Sequence, residues 1–322
     1  MKRETQQIFD LILKRLLRLS SGAVIQFING LFGTDHPLGS TVEYPNTEYV
    51  SRKLGRLMSD MVVVINGIHV YHMEAEIRDD ESIVIRMFEY GFAQGLSTKV
   101  ASDGGERITI KFPNARIIYW ETTKRTPDEV VLSLEFPDGG SYDYAVKTFK
   151  FLDHGINELE EKQLVILLPF YVLKLRKQVV SARSPKRHEE LSVEMKAIID
   201  NLVLTTERAV KIGLLSGPDG RTVLEYTERL YKELYQNYEK LKEADVMLQE
   251  TILTYSEEAE LRGVEKGRKE GMEEGMEKGM EKGMEKGKEL VARSMLARGM
   301  TMNEVAEITG FHVDKLKGLV LN

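Results

Sequence analysis

The chain has 322 residues, enough for one full hydrophobic core with room for a second unit and an appendage. It contains no cysteine, which excludes disulfides and thiolate metal centres and leaves oxygen and imidazole as ligands for any cation. Its formal net charge of −6 gives no overall attraction to nucleic acid, so a DNA-binding face would have to be local.

No apolar run reaches the roughly 18 to 20 residues that span a bilayer, and the most apolar stretch, Leu164 to Leu175, is interrupted by Pro169 and Lys174. The first residues, Met1 to Thr5, lead into an amphipathic segment without the apolar core of a signal peptide. The expectation is a cytoplasmic chain with no membrane contact. In chain order, Ile8, Leu11, Ile12, Leu16 and Leu17 fall at helical spacing, and the pattern continues through Phe27 to Phe32 until Gly33 and Pro37. A short helix is expected over Glu48 to Leu57. The run Met58 to Ile65, dense in β-branched residues, then reads as a strand, Asn66-Gly67 as a hairpin turn, and Ile68 to Ile77 as the returning strand. Residues 81–96 read as a helix packed on a sheet. Ile108 to Phe112, Ile117 to Trp120, Val130 to Phe136 and Tyr144 to Phe149 supply further strands. From residue 156 onward the pattern is helical, broken at Ser216 to Gly220.

The chemistry-bearing feature is the hairpin. Glu74 and Glu76 are spaced i, i+2 on one strand and therefore share a face, with Asp60 at the start of the partner strand. Carboxylates gathered together repel one another unless a cation neutralises them, and hard oxygen ligands suit Mg²⁺ or Mn²⁺. Asp60 joins Glu74 on one face only if the paired positions sum to an even number. A two-residue Asn66-Gly67 loop gives 133. The expectation is instead a bulged three-residue turn, Ile65-Asn66-Gly67, with Gly67 left-handed and a sum of 132. His72, two residues before Glu74, falls on the same face as a ligand, a base or a structural histidine.

The order of these pieces resembles a known family. Asn46-Thr47-Glu48, Asp60, the Asn-Gly turn, Met73-Glu74-Ala75-Glu76-Ile77, Arg86-Met87-Phe88-Glu89-Tyr90, Phe112-Pro113-Asn114-Ala115 and Leu164 to Tyr171 are similar to the recombination-promoting nuclease/transposase (Rpn) family of the PD-(D/E)XK nuclease superfamily. The resemblance spans roughly residues 20–180 and extends to the tail. It implies an α/β fold, restriction-endonuclease-like, with a mixed central sheet flanked by helices, followed by an all-helical region and a long helical tail. The expected divisions are 1–180, 181–255, 256–288 and 289–322. The resemblance further implies a Mg²⁺- or Mn²⁺-dependent DNA endonuclease acting in recombination or transposition. Asp60 and Glu74 would be metal ligands, Glu48 the helix-borne acid, and Arg86 and Tyr90 an i, i+4 pair facing the site, with Arg86 on a scissile phosphate or in an ion pair with a nearby carboxylate. Glu76 departs from the superfamily, which has Lys there; a carboxylate cannot donate a hydrogen bond at neutral pH. Hence an alternative stands beside the enzyme: a DNA-binding or scaffold protein that kept the fold without cutting.

Lys174, Arg176, Lys177, Arg183, Lys186, Arg187 and His188 form a basic stretch, read as a DNA path or as a solvated helix end. From Gly263 to Gly287 a glycine recurs at every fourth position, with Met272, Met276, Met280 and Met284 beside it, as a helix that pairs with a second copy or as a spacer. Thr301 to Glu304 reads as a capping box after Gly299, and Gly310 as a turn into a last helix, giving a helix-turn-helix outline. A homo-oligomer is expected.

Overall fold

The computed structural model describes residues 2–45, 48–51, 55–58, 61–77, 82–97, 100–102 and 106–320; the side chains of 2–5, 48–51, 55–58, 97, 101–102, 240, 243–244, 256–267, 270 and 319–320 are outside that description. Two helices open the chain, α1 (Lys2–Leu16) and α2 (Ser21–Phe32). They bury Phe9, Ile12, Leu13, Leu16, Val24, Phe27 and Ile28, whereas Leu11, assigned to the apolar stripe by spacing, is exposed. Strand β1 (Val42–Glu43) follows, then a separate two-stranded hairpin, β2 (Glu48–Ser51) with β3 (Gly55–Met58). This corrects the helix expected over Glu48 to Leu57: Tyr49 and Val50 favour extended backbone, and Gly55 weakens a helix.

Next come β4 (Val62–Ile65), β5 (His69–Glu76), α3 (Ile83–Ser97), the small ribbon β6 (Val100–Ser102) with β7 (Arg107–Thr109), and β8 (Asn114–Tyr119), β9 (Glu129–Glu135) and β10 (Ser141–Lys150). Six of these form one mixed sheet in the order β1-β4-β5-β8-β10-β9. The β5–β8 and β8–β10 pairs are parallel and the others antiparallel. The strand expected over Ile108 to Phe112 is shorter, because residues 110–113 leave β7 to pass under α3. Gly91 and Gly95 permit that approach: a Cβ at Gly91 would sit 2.5 Å from the Phe112 ring, and one at Gly95 3.1 Å from the Lys111 carbonyl.

The β4–β5 turn differs by one step from the expected one. Val62 pairs with His72 and Ile65 with His69, a sum of 134, so the loop is Asn66-Gly67-Ile68. Both Asn66 (φ 54°) and Gly67 (φ 69°) are left-handed. Asn66 tolerates that conformation because its side chain accepts from the Thr41 N–H (3.1 Å) and donates to the Ser40 hydroxyl (3.2 Å). The sum is even, so Val62, His72, Glu74 and Glu76 lie on one face.

That face is covered by α3, whose Ile83, Val84 and Met87 pack on Ile117, Tyr119 and Val146. The opposite face carries Trp120, stacked on Phe170 at 3.9 Å between centroids and met edge-on by Phe9 and Phe151. Beyond the sheet come α4 (Ile156–Glu161), a buried 3-10 helix (Val165–Leu175), α5 (Arg176–Ser181), α6 (Pro185–Lys211) and α7 (Gly217–Tyr235). The break at Ser216 is a capping box in which Asp219 accepts from Ser216 while also accepting from the backbone and hydroxyl of Ser20, the N-cap of α2. One carboxylate thereby closes two helix ends.

A 3-10 turn (Glu239–Leu241) precedes the long helix α8 (Lys242–Ala297), and α9 (Met302–Thr309) and α10 (Val313–Val320) end the chain. The chain divides into two compact units, Met1–Ser256 and Glu257–Asn322. In the second, the glycine repeat is helical, Met272, Met276, Met280 and Met284 are 60–73% exposed, and nothing lies within 4 Å of a Cβ added at Gly271, Gly275, Gly279, Gly283 or Gly287. Ala292, Val305 and Leu316 form its small core, and the Thr301–Glu304 capping box is present. Among the described residues no helix is long and apolar enough to cross a membrane.

Candidate functional site

The C-terminal end of β5 gathers titratable groups from three elements. Alternation along the strand places His72, Glu74 and Glu76 on the face toward α3. His72 is fully buried, and its Nε2 lies 3.3 Å from Glu74 Oε1. The imidazole edge meets the ring of Tyr90 at 5.4 Å and 90°. Its Nδ1 is buried without a hydrogen-bond partner among the described residues. A neutral ring that carries its proton on Nε2 can donate to Glu74, which orients that carboxylate.

Glu76 is engaged by Arg86, whose Nη2 is 2.5 Å from Oε1. Arg86 and Tyr90 are one turn apart on α3 and both face β5, as their i, i+4 spacing allows. Of the two alternatives for Arg86, the structure contains the carboxylate ion pair. Asp60 lies outside the described residues. Glu48 is on β2 rather than on a helix, and its side chain is outside the description.

The sequence reading missed Asp10. Gln6 on α1 spans the end of β5, donating to the Ala75 carbonyl (2.7 Å) and accepting from the Ile77 N–H (3.2 Å), and it also donates to Asp10 (2.8 Å). This brings Asp10 within electrostatic reach of both strand carboxylates. Burial chiefly, then the charges of Glu76 and Glu74, push its carboxyl from 3.8 up to about 7, against the lowering effects of Gln6 and Lys14. A signal existed in the sequence: Gln6, Asp10 and Lys14 recur at i, i+4 along a helix whose neighbouring positions are apolar.

Among the described residues no three histidine, aspartate or glutamate side chains are close enough together to hold a metal ion. The donors present suit a cation bound through one or two carboxylates and otherwise through water, which is the habit of Mg²⁺. Burial is the main reason that Asp10 rises to about 7, and the smaller share that comes from the charges of Glu76 and Glu74 is what a cation there would relieve.

The basic stretch is largely consumed internally. Arg176 is 2.7 Å and Lys177 3.6 Å from Glu121, a buried carboxylate at the end of β8. Arg187 holds Glu190, Glu194 and Gln178, and Lys174 donates to the Leu152 carbonyl. Four of the seven basic residues in that stretch are thus engaged within the fold. No known protein family, curated protein or solved structure matches the chain.

Proposed function

We propose that the chain is a metal-dependent DNA endonuclease of the recombination-promoting nuclease (Rpn) type in the PD-(D/E)XK superfamily, serving recombination or transposition. Its site is the C-terminal end of β5, and its partners are DNA and a second copy of itself. One observation supports the reading: Gln6 of α1 bonds both the end of β5 and Asp10, which sets a buried acid, raised to about 7 chiefly by that burial, within reach of the charges of Glu76 and Glu74. Glu74 and Asp10, with Asp60, would hold Mg²⁺ or Mn²⁺, and such an ion supplies Lewis acidity toward a phosphodiester. His72 orients Glu74 through its Nε2 proton. Asp10, half-protonated near neutral pH, can take a proton from an attacking water or give one to a leaving oxygen. Arg86, partly exposed at its Glu76 contact, would bring its positive charge beside an entering phosphate.

A second reading, a DNA-binding or scaffold protein without cutting activity, is favoured by the Arg86–Glu76 pair. It occupies the position where the superfamily places Lys with two groups that neutralise each other. Plasmid nicking separates the readings. Wild type in Mg²⁺ or Mn²⁺ should convert supercoiled to open-circular DNA, and Asp60→Ala, Glu74→Gln and Asp10→Asn should each lose that conversion. Absence of nicking in every divalent metal, with DNA binding retained, would select the second reading.

A further inference from the structure

The described cations are mostly matched with carboxylates, as at Arg86, Arg176, Arg187, Arg208 and Arg221. Arg18 is different. Its guanidinium carbon lies 3.7 Å from the centroid of the Tyr44 ring, and it has no carboxylate partner among the described residues. The ring is itself fixed, because the Tyr44 hydroxyl donates to the Leu17 carbonyl at 2.5 Å. Stacking on an aromatic face holds a guanidinium in place without cancelling its charge and leaves the in-plane N–H donors directed outward.

Arg18 and Lys14 line a cleft of about 110 Å³ together with Leu17, Tyr44, Pro45 and Met61 to Val63. Lys14 is one turn beyond Asp10 on α1, so the cleft lies about 6 Å along the helix axis from Asp10. Its other wall is the start of β4, whose Val62 is the cross-strand neighbour of His72. The cleft therefore adjoins the acid cluster along two independent elements, with cations where the cluster has anions.

We infer that the Lys14–Arg18 cleft is a phosphate subsite, which takes a backbone phosphate of a nucleic-acid strand next to the phosphodiester at Glu74 and Asp10; this rests on the nuclease reading of that site. Arg18 presents a planar fork suited to two phosphate oxygens, and Lys14 contributes a point charge. A chain of net charge −6 can then hold DNA through a local contact set beside its acids.

Binding of a fluorescent 20-bp duplex to the full chain, measured by anisotropy in EDTA over a range of salt, tests the subsite without requiring cleavage. Arg18→Gln and Lys14→Gln should each weaken binding and lower the slope of log K against log salt by about 0.9, the value of one lost phosphate contact on duplex DNA. Arg221→Gln, which removes the same charge from an ion pair on α7, should leave the slope unchanged. Arg18→Lys, which retains the charge but not the stacked fork, should fall between wild type and Arg18→Gln, and it replaces the latter if loss of the Tyr44 stack unfolds the protein. An unchanged slope in the Gln variants, or no duplex binding by wild type, overturns the subsite. A lowered slope in a protein that nicks DNA in no metal keeps the subsite and removes the nuclease reading. Nicking with an unchanged slope does the reverse.

Discussion

Replacing Asp10 with Asn should stabilise the protein above neutral pH. The carboxyl titrates near 3.8 in an unfolded chain and near 7 in the fold, chiefly because burial and then Glu76 and Glu74 disfavour its charge. Between those values the folded state binds more protons than the unfolded state, so stability falls as pH rises from about 4 to about 7 and is level beyond. A shift of about three pH units corresponds to about 4 kcal/mol as a ceiling, at 1.36 kcal/mol per unit. Partial solvent access to Asp10 brings the expected gain of Asp10→Asn to about 2 kcal/mol at pH 8. At pH 4 the gain should vanish, since the native carboxyl is then neutral and already bonded to Gln6. Urea unfolding followed by fluorescence suits the measurement because the single tryptophan, Trp120, is fully buried in the first unit. The two stability curves should converge at low pH and separate toward pH 8. A constant offset between them, or an Asn variant less stable at pH 8, would refute the electrostatic account of this acid. Added Mg²⁺ should narrow the gap at pH 8, since a cation beside Asp10 relieves the same repulsion.

Other perturbations follow from individual contacts. Asp219→Ala removes the acceptor for Ser20 and Ser216 at two helix ends, and its unfolding free energy should drop by about 2 to 3 kcal/mol in urea titration. Burial raises the Asp219 carboxyl, yet the Ser20 and Ser216 bonds outweigh it and hold the pKa below 3.8; the wild-type advantage is therefore present above about pH 4 and should shrink as pH falls below it. Gly91→Ala drives a methyl into the Phe112 ring and should lower the melting temperature, at a cost of about 1 to 3 kcal/mol. Gly275→Ala, Gly279→Ala and Gly283→Ala meet no neighbour, and each should strengthen the tail helix by about 1 kcal/mol, read as a gain in helical dichroism on heating. If that glycine stripe pairs two copies closely, the triple variant should also reduce the mass measured in solution, whereas an unchanged mass would remove the glycines from self-association.

Local chemistry alone specified the hairpin about Asn66-Gly67, the shared face of Glu74 and Glu76, the inward turn of Arg86 and Tyr90, and the capping box at Thr301 and Glu304. Each depends on residues a few positions apart, where the two-residue period of a strand, the i, i+4 neighbourhood of a helix and the orphan N–H groups at a helix start act directly. The turn register was only half legible, because the parity of the pairing followed from the bulged loop while its position depended on Thr41 and Ser40 holding Asn66 left-handed. Asp10 entered the site through Gln6, which reaches across 69 positions to Ala75. Arg176, part of the basic stretch, pairs with Glu121, which lies 55 positions away. A sequence gives each side chain its charge and its local direction, whereas partner choice between distant charges is set by which elements pack together. The fold, by bringing α1 against the end of β5, decided that Asp10 lies within reach of Glu74 and Glu76.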